Sequence, residues 1–313
     1  MNHTAPAAKK ASRFLSKNRN VRQQAIAGYV FTLPFILGFL CFFIIPMGYS
    51  LYLSFSKYSI GGAVKWIGLD NYIRMFTKDA KFFKSISVTL FFVLAAVPLK
   101  VGFALLIALV LHVKSRAANV YRSAYYLPSL VGGSVAISIM WRELFSDFGV
   151  INAMLQGLGL SKISWLGDPR YAIWTLITMT VWQFGSSMII FAAGLKQIPE
   201  TYYEAAKIDG AGGMARLFKI TLPLLSSVIF FNLVMQIISG FMTFTQAFII
   251  TTGGPLESTM FYALYIYNRA FKYGELGYGS ALAWFLLVMI AVATGIMFKF
   301  SKSWVYYESK EKM

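Results

Sequence analysis

Glu204-Ala205-Ala206-Lys207-Ile208-Asp209-Gly210, continued after a short spacer by Ile220-Thr221-Leu222-Pro223, is a compact polar segment between two long apolar runs. Pro199 suits an early helix position. Thr201 and Glu204 have the spacing of a capping box, in which hydroxyl and carboxylate satisfy orphan amides. Gly210 suits the residue just past a helix end. Gly212 and Gly213 turn the chain, a second short helix runs to Ile220, and Pro223 starts the next apolar run. The expected product is two short helices, roughly at right angles, lying along a membrane surface. Ala205 and Ala206 leave a side-chain-poor face that another protein can approach closely. Local chemistry also allows an internal role, with Glu204 capping its helix and the alanines packing on the chain's own spans.

The surroundings of this island are those of a membrane protein. Of 313 residues, 58% are hydrophobic and 13% charged, against about 25% charged in a soluble domain; the mean hydropathy is +0.62. The single Cys41 lies in an apolar run, so no intrachain disulfide or cysteine metal cluster is possible. His3 and His112 are the only histidines. No paired carboxylates, histidine cluster or nucleophile constellation is present, which ranks a membrane-embedded enzyme last. The net charge of +17 is spread along the flanks of apolar runs and does not form a basic domain; it argues for membrane orientation and against a nucleic-acid partner.

Six segments are long enough to cross a bilayer, which takes about 20 apolar residues: 25–55, 86–113, 121–145, 171–195, 223–250 and 277–299. The first follows a basic stretch, Lys9 to Arg22, but is longer than a signal-peptide core and reads as a retained span. The expected organisation is a basic segment over 1–24, a six-span domain over 25–304 containing the polar loop 196–222, and a short tail over 305–313. With both termini on one side, 17 of the 29 Lys and Arg residues fall on that side and 11 on the other. The positive-inside rule then makes the termini and the Glu204 loop cytoplasmic. Lys100 is left over, about halfway along the second span beside Pro98 and Gly102. It reads equally as an intramembrane functional cation or as a side chain snorkelling to an interface.

Pro34, Pro46, Pro98, Pro128 and Pro223 are expected to kink the spans, and broken helices are tolerated where they face protein or a watery cavity. Two polar stripes stand out in the apolar runs. Met179, Trp182, Gln183 and Ser186 fall at i, i+3, i+4 and i+7, and Gln236, Ser239, Gly240 and Thr243 repeat the spacing. Amides and hydroxyls beside an aromatic ring, here Trp182, suit a sugar; the same residues also serve as glue between helices.

Glu204-Ala205-Ala206, then Gly210, then Ile220, Leu222 and Pro223 resemble the EAA signature of the permease subunits of binding-protein-dependent ABC importers. Gly68-Leu69-Asp70-Asn71-Tyr72, Thr252-Gly253-Gly254-Pro255, and Ala270-Phe271 with Gly277-Tyr278 are similar to its carbohydrate branch, of maltose-permease (MalF-like) type. The resemblance runs from about residue 25 onward. It lacks the extra N-terminal spans and large periplasmic insertion of the enterobacterial form.

The resemblance implies an all-α polytopic protein with the type I importer fold, six transmembrane helices, and a place in the bacterial inner (plasma) membrane. It implies that Glu204, Ala205, Ala206, Asp209 and Gly210 form a coupling helix seated in a cytoplasmic ATPase. The implied partners are a second homologous permease, two ATPase subunits, an extracytoplasmic solute-binding protein and membrane lipid. This chain has no G-x-x-x-x-G-K-[ST] loop, so ATP and Mg would be bound by the ATPase and the chain itself would hold no cofactor. By position, the family's sugar contacts fall on the two spans that carry the polar stripes, with Asn232 in reserve. The expected cargo is a sugar, an oligosaccharide. A permease of the same class for glycerol phosphate or a polyol is the alternative. An ion-coupled secondary transporter ranks lower, since no Asp or Glu lies mid-span.

Overall fold

The computed structural model describes residues 23–24, 26–112 and 116–306. Most of the basic N-terminal segment, including Lys9 to Arg22, and the tail beyond residue 306 lie outside them, as does Lys114. Four helices are long and apolar enough to cross a membrane: α1 (Ile26–Ser54), α3 (Ala80–Val110), α10 (Gly213–Phe241) and α12 (Leu276–Ser301). The shortest has 26 residues, about 39 Å at 1.5 Å per residue, against a hydrocarbon layer of about 30 Å. Shorter helices join them: α2 (Asp70–Thr77), α4 (Arg116–Val131), α5 (Val135–Leu144), α6 (Val150–Gly157), α7 (Pro169–Trp182), α8 (Gly185–Gln197), α9 (Glu200–Ile208) and α11 (Tyr262–Tyr267). A two-residue antiparallel ribbon pairs Ser56–Lys57 with Lys65–Trp66.

The third and fourth expected spans are not straight rods. The helical stretch ending at Val131 meets α5 at 99°, and α7 meets α8 at 41°. The first break falls at Gly132-Gly133, where Ser134 caps α5 by accepting from the Ile137 N–H at 3.3 Å. The second falls at Gln183-Phe184. The two breaks face and satisfy one another. Gln183 Nε2 donates to the Gly132 carbonyl at 3.2 Å. Ser129 Oγ donates to the Gln183 carbonyl and accepts from the Ser186 N–H, both at 3.0 Å. Backbone groups freed inside a membrane need such partners. Glycines permit the approach: a Cβ on Gly185 would stand 2.2 Å from the Tyr125 carbonyl oxygen, and one on Gly132 2.4 Å from the Gln183 side chain.

The prolines do not mark the breaks. α3 runs unbroken through Pro98. Pro46 and Pro223 each follow a π turn, Leu40–Ile44 and Leu217–Thr221. Proline lacks an N–H and its ring crowds the carbonyl four residues back; in both cases that carbonyl belongs to the wider turn, where Ile45 N–H bonds to Leu40 O and Leu222 N–H to Leu217 O. The expected second surface helix is therefore not separate, because residues from Gly213 run through the π turn into the span. The fifth helix instead stops at Phe241, short of the expected 250, and resumes as a π turn at Ala247–Thr251.

The core lies where α3 packs against α7, α8 and α10, with Phe92, Leu176, Met179, Met188, Phe191 and Leu225 fully buried. Gly194 lets α8 approach α10: a Cβ there would stand 2.9 Å from Leu225 and Val228 side-chain atoms. Small residues allow such contacts between spans. The Ile45–Ser54 half of α1 packs on α12, while its first half leaves Phe31, Phe35 and Phe42 exposed.

At the end of the bundle opposite Glu204, Asn71 donates to the Ser54 and Ser56 carbonyls at 2.9 and 3.0 Å, closing the end of α1. Gly277 passes so close that a Cβ would lie 2.1 Å from the Ser56 carbonyl oxygen. Asp79 caps α3 through Phe82 N–H at 3.3 Å, and its other oxygen accepts from Tyr265 OH, from Tyr278 OH at 2.5 Å and from Arg269 at 3.4 Å. Burial alone would raise this carboxyl. The two tyrosine hydroxyls, then Arg269, outweigh it and hold Asp79 below the ordinary carboxylate value.

Candidate coupling surface and transport cavity

Ile198 precedes a proline and is held extended, with φ −73° and ψ 119°, as X-Pro sterics require. α8 therefore ends at Gln197 and α9 starts afresh at Glu200. Pro199 occupies the cap position itself, and no side chain caps the helix. The capping box expected of Thr201 and Glu204 is not formed, because the proline moves the helix start ahead of Thr201. Glu204 is left exposed, with no hydrogen bond or ion pair among the described residues. Ala205, Asp209 and Gly210 are exposed too, and Ile208 is 87% exposed. Ala206 faces inward and is buried.

The far end of α9 is closed as its glycine suggests. Gly210 has φ +75°. Its N–H bonds to Lys207 O at 3.1 Å, and Ala211 N–H bonds to Ala206 O at 2.8 Å. This is the Schellman arrangement, which needs a left-handed residue at that position. The helix is tied to the bundle by half-buried Tyr203, whose hydroxyl lies 3.0 Å from Thr221 Oγ1 in the π turn of α10. α9 thus follows α8 directly and touches the start of α10, while presenting Glu204 and Ala205 outward.

Those two helices lead to a cavity of about 210 Å³. α8 and the 221–236 stretch of α10 are each rods of about 20 Å. The wall is formed by Thr180 and Gln183 from the α7 end, by Gln236, Ser239 and Gly240 from α10, and by Thr243, Phe244, Thr245 and Gln246 beyond it. α3 contributes Phe92, Ala96, Val97 and Lys100, and the first break contributes Gly133. Gln236 Nε2 also donates to Ser187 Oγ at 3.1 Å, linking α10 to α8 beside the cavity. Amides, hydroxyls and two phenyl rings can hydrogen-bond a polyhydroxylated solute and pack on its C–H face.

The structure brings together Gln183, Gln236, Ser239, Gly240 and Thr243 of the two stripes. It does not bring Met179, Trp182 and Ser186 to the same wall. The 41° bend after α7 takes Ser186 off that face, while Met179 and Trp182 both lie before it and are engaged elsewhere. Met179 is fully buried in the core, and Trp182 packs against Trp141 at 5.7 Å between ring centres. Ser186 is engaged through its backbone with Ser129. Gly240 also serves packing, since a Cβ there would lie 3.0 Å from Val93. Asn232 is wholly buried and bonds to Val228 O at 3.2 Å. Thr180, Thr245 and Gln246 were missed. Thr180 lies one turn before Gln183, and Thr243-Phe244-Thr245-Gln246 is a polar run inside an apolar stretch, which was the available signal.

Residues 73–305 match the family described as the binding-protein-dependent transport system inner membrane component. The chain is 56% identical to the probable ABC transporter permease protein YesP of Bacillus subtilis (strain 168), over 95% of this chain and 97% of that one. It is 32% identical to the arabinooligosaccharides transport system permease protein AraP of the same organism, over 88% and 89%. Among solved structures, the bacterial alginate ABC transporter in complex with alginate pentasaccharide-bound periplasmic protein shares the fold, with a TM-score of 0.78 at 23% identity, over 91% of this chain and 96% of that one. The multi-span helical fold and the matched sequence agree: the chain belongs to the family of binding-protein-dependent transport system inner membrane components, the permease subunits of ABC transporters.

Proposed function

We propose that this permease subunit forms, with a second homologous permease, the membrane pathway for uptake of a sugar, an oligosaccharide, driven by two ATPase subunits docked on α9. An extracytoplasmic binding protein delivers the solute, and ATP and Mg are held by the ATPases. The observation that carries the reading is the joint placement of α9 and the cavity. α8 and α10 meet α9 at one end; towards the other, Gln183, in the break just before α8, and Gln236 on α10 line the cavity. Closure of an ATPase dimer would displace α9 as a body, and the two rods would carry that displacement to the solute walls. Such a step biases two pre-existing arrangements, inward- and outward-open.

The arabino-oligosaccharide relative supports a sugar over glycerol phosphate or a polyol. The Lys and Arg distribution supports cytoplasmic termini and a cytoplasmic α9. No catalytic role is assigned to the chain; among the described residues no cluster of His, Cys, Asp and Glu is suited to a metal. The test is uptake of labelled oligosaccharides by proteoliposomes containing the whole complex and its binding protein. ATP-dependent accumulation of at least one oligosaccharide, lost when this chain is omitted, is the expected result. Accumulation of glycerol phosphate alone, or uptake that follows an ion gradient without ATP, would refute it.

A further inference from the structure

Lys100 is, among the described residues, the one charged side chain on the cavity wall, and no Asp or Glu lines it. Among the described residues Lys100 makes no hydrogen bond or ion pair. The ion pairs at the end opposite Glu204, Arg74 and Arg269 with Glu275 and Asp79, are satisfied among themselves. Lys100 lies 20 residues after the start of α3 and 10 before its end, about 30 and 15 Å, past the unbroken helix at Pro98. A cation kept at such a depth is costly, and it typically faces a solute path or pairs with an opposite charge. A neutral sugar offers the ammonium hydroxyl acceptors but no opposite charge, and the glutamine amides and threonine hydroxyls around it already serve uncharged hydroxyl groups.

We propose that the solute carries one negative charge, as the carboxylate of a uronic acid residue does, and that Lys100 selects it; this deepens the oligosaccharide reading and rests on it. The ammonium supplies three donors and no acceptor, a match for carboxylate oxygens. One cation matches one charge. A phosphate monoester carries close to two at neutral pH, and no second cation lines the cavity. Gln183 and Gln236 then bind the hydroxyls of the same solute, and Phe244 offers an apolar face.

The experiment uses the complete importer in proteoliposomes, with disaccharides containing one glucuronate, galacturonate or mannuronate residue, each beside its uncharged methyl ester. Wild type is expected to import at least one acid, and its ester at least tenfold more slowly. Lys100→Met should lower uptake of that acid at least tenfold, about 1.4 kcal/mol, and that of the ester by a several-fold smaller factor, with the complex recovered intact. Lys100→Arg should keep the preference for the acid. Equal loss for acid and ester, or unchanged acid uptake in Lys100→Met, would overturn the proposal. So would dissociation of the complex in that variant, since Lys100 would then be pairing with the second permease. Import of neutral disaccharides with none of the acids would overturn it while leaving the sugar reading intact. Import of no sugar at all would overturn both.

Discussion

Tyr203 OH lies 3.0 Å from Thr221 Oγ1, a polar contact that links α9 to α10. Tyr203→Phe deletes that contact and keeps the ring in place. Thr221 retains a second bond, to Arg216 O at 3.3 Å, so the variant leaves no hydroxyl stranded. A neutral, half-buried hydrogen bond contributes about 0.5–1.5 kcal/mol, or roughly a 2- to 12-fold effect on the equilibrium it biases. If the bond transmits motion, the cost appears as slippage, with ATP hydrolysed but less solute moved. The assay is the ratio of uptake to hydrolysis in proteoliposomes. Thr221→Val in a double-mutant cycle isolates the pair: the double variant should be little worse than the more impaired single one, with a coupling energy near 1 kcal/mol. Additive effects of the two substitutions, or a wild-type ratio in Tyr203→Phe, would refute transmission through this contact.

Gly185→Ala should destabilise the protein by about 1–3 kcal/mol, seen as a lower melting temperature of the detergent-solubilised complex, because the new Cβ would lie 2.2 Å from Tyr125 O and 2.7 Å from Tyr126 Cα, both backbone atoms. Gln246→Ala should reduce uptake with normal assembly, since Gln246 lines the cavity, whereas Met179→Leu should leave solute preference unchanged. Asp79 has its carboxyl held below the ordinary value, so its contribution is present above the unfolded value of about 3.9 and fades as pH falls through the folded value. Asp79→Asn should cost about 3 kcal/mol at neutral pH and flatten the acid limb of a melting-temperature profile.

The long apolar helices and the short exposed α9 were legible in the residues because each follows from a local rule. Apolar length decides a crossing, and Gly210 decides where α9 stops. The breaks were not legible. Gly132-Gly133 and Gln183 lie inside runs that stay apolar overall, and each break takes hydrogen-bond partners from the other. Helical spacing placed Met179, Trp182 and Ser186 on one face; the bend separates Ser186, and packing takes up Met179 and Trp182. The cap of α9 failed for a related reason. Thr201 and Glu204 have the right separation, but Pro199 fixes the helix start and leaves Glu204 free to face outward. The prolines misled in the opposite sense, since π turns absorb Pro46 and Pro223 without a break.

The claim at the centre is that ATP hydrolysis reaches the cavity through α9. Glu204 is exposed and unpaired among the described residues, so Glu204→Ala leaves their packing untouched. The direct measurement is solute accumulated per ATP hydrolysed by the reconstituted complex carrying that substitution. An assembled complex whose accumulation per ATP falls at least tenfold, about 1.4 kcal/mol of lost coupling, is the expected result. A wild-type ratio would contradict the account.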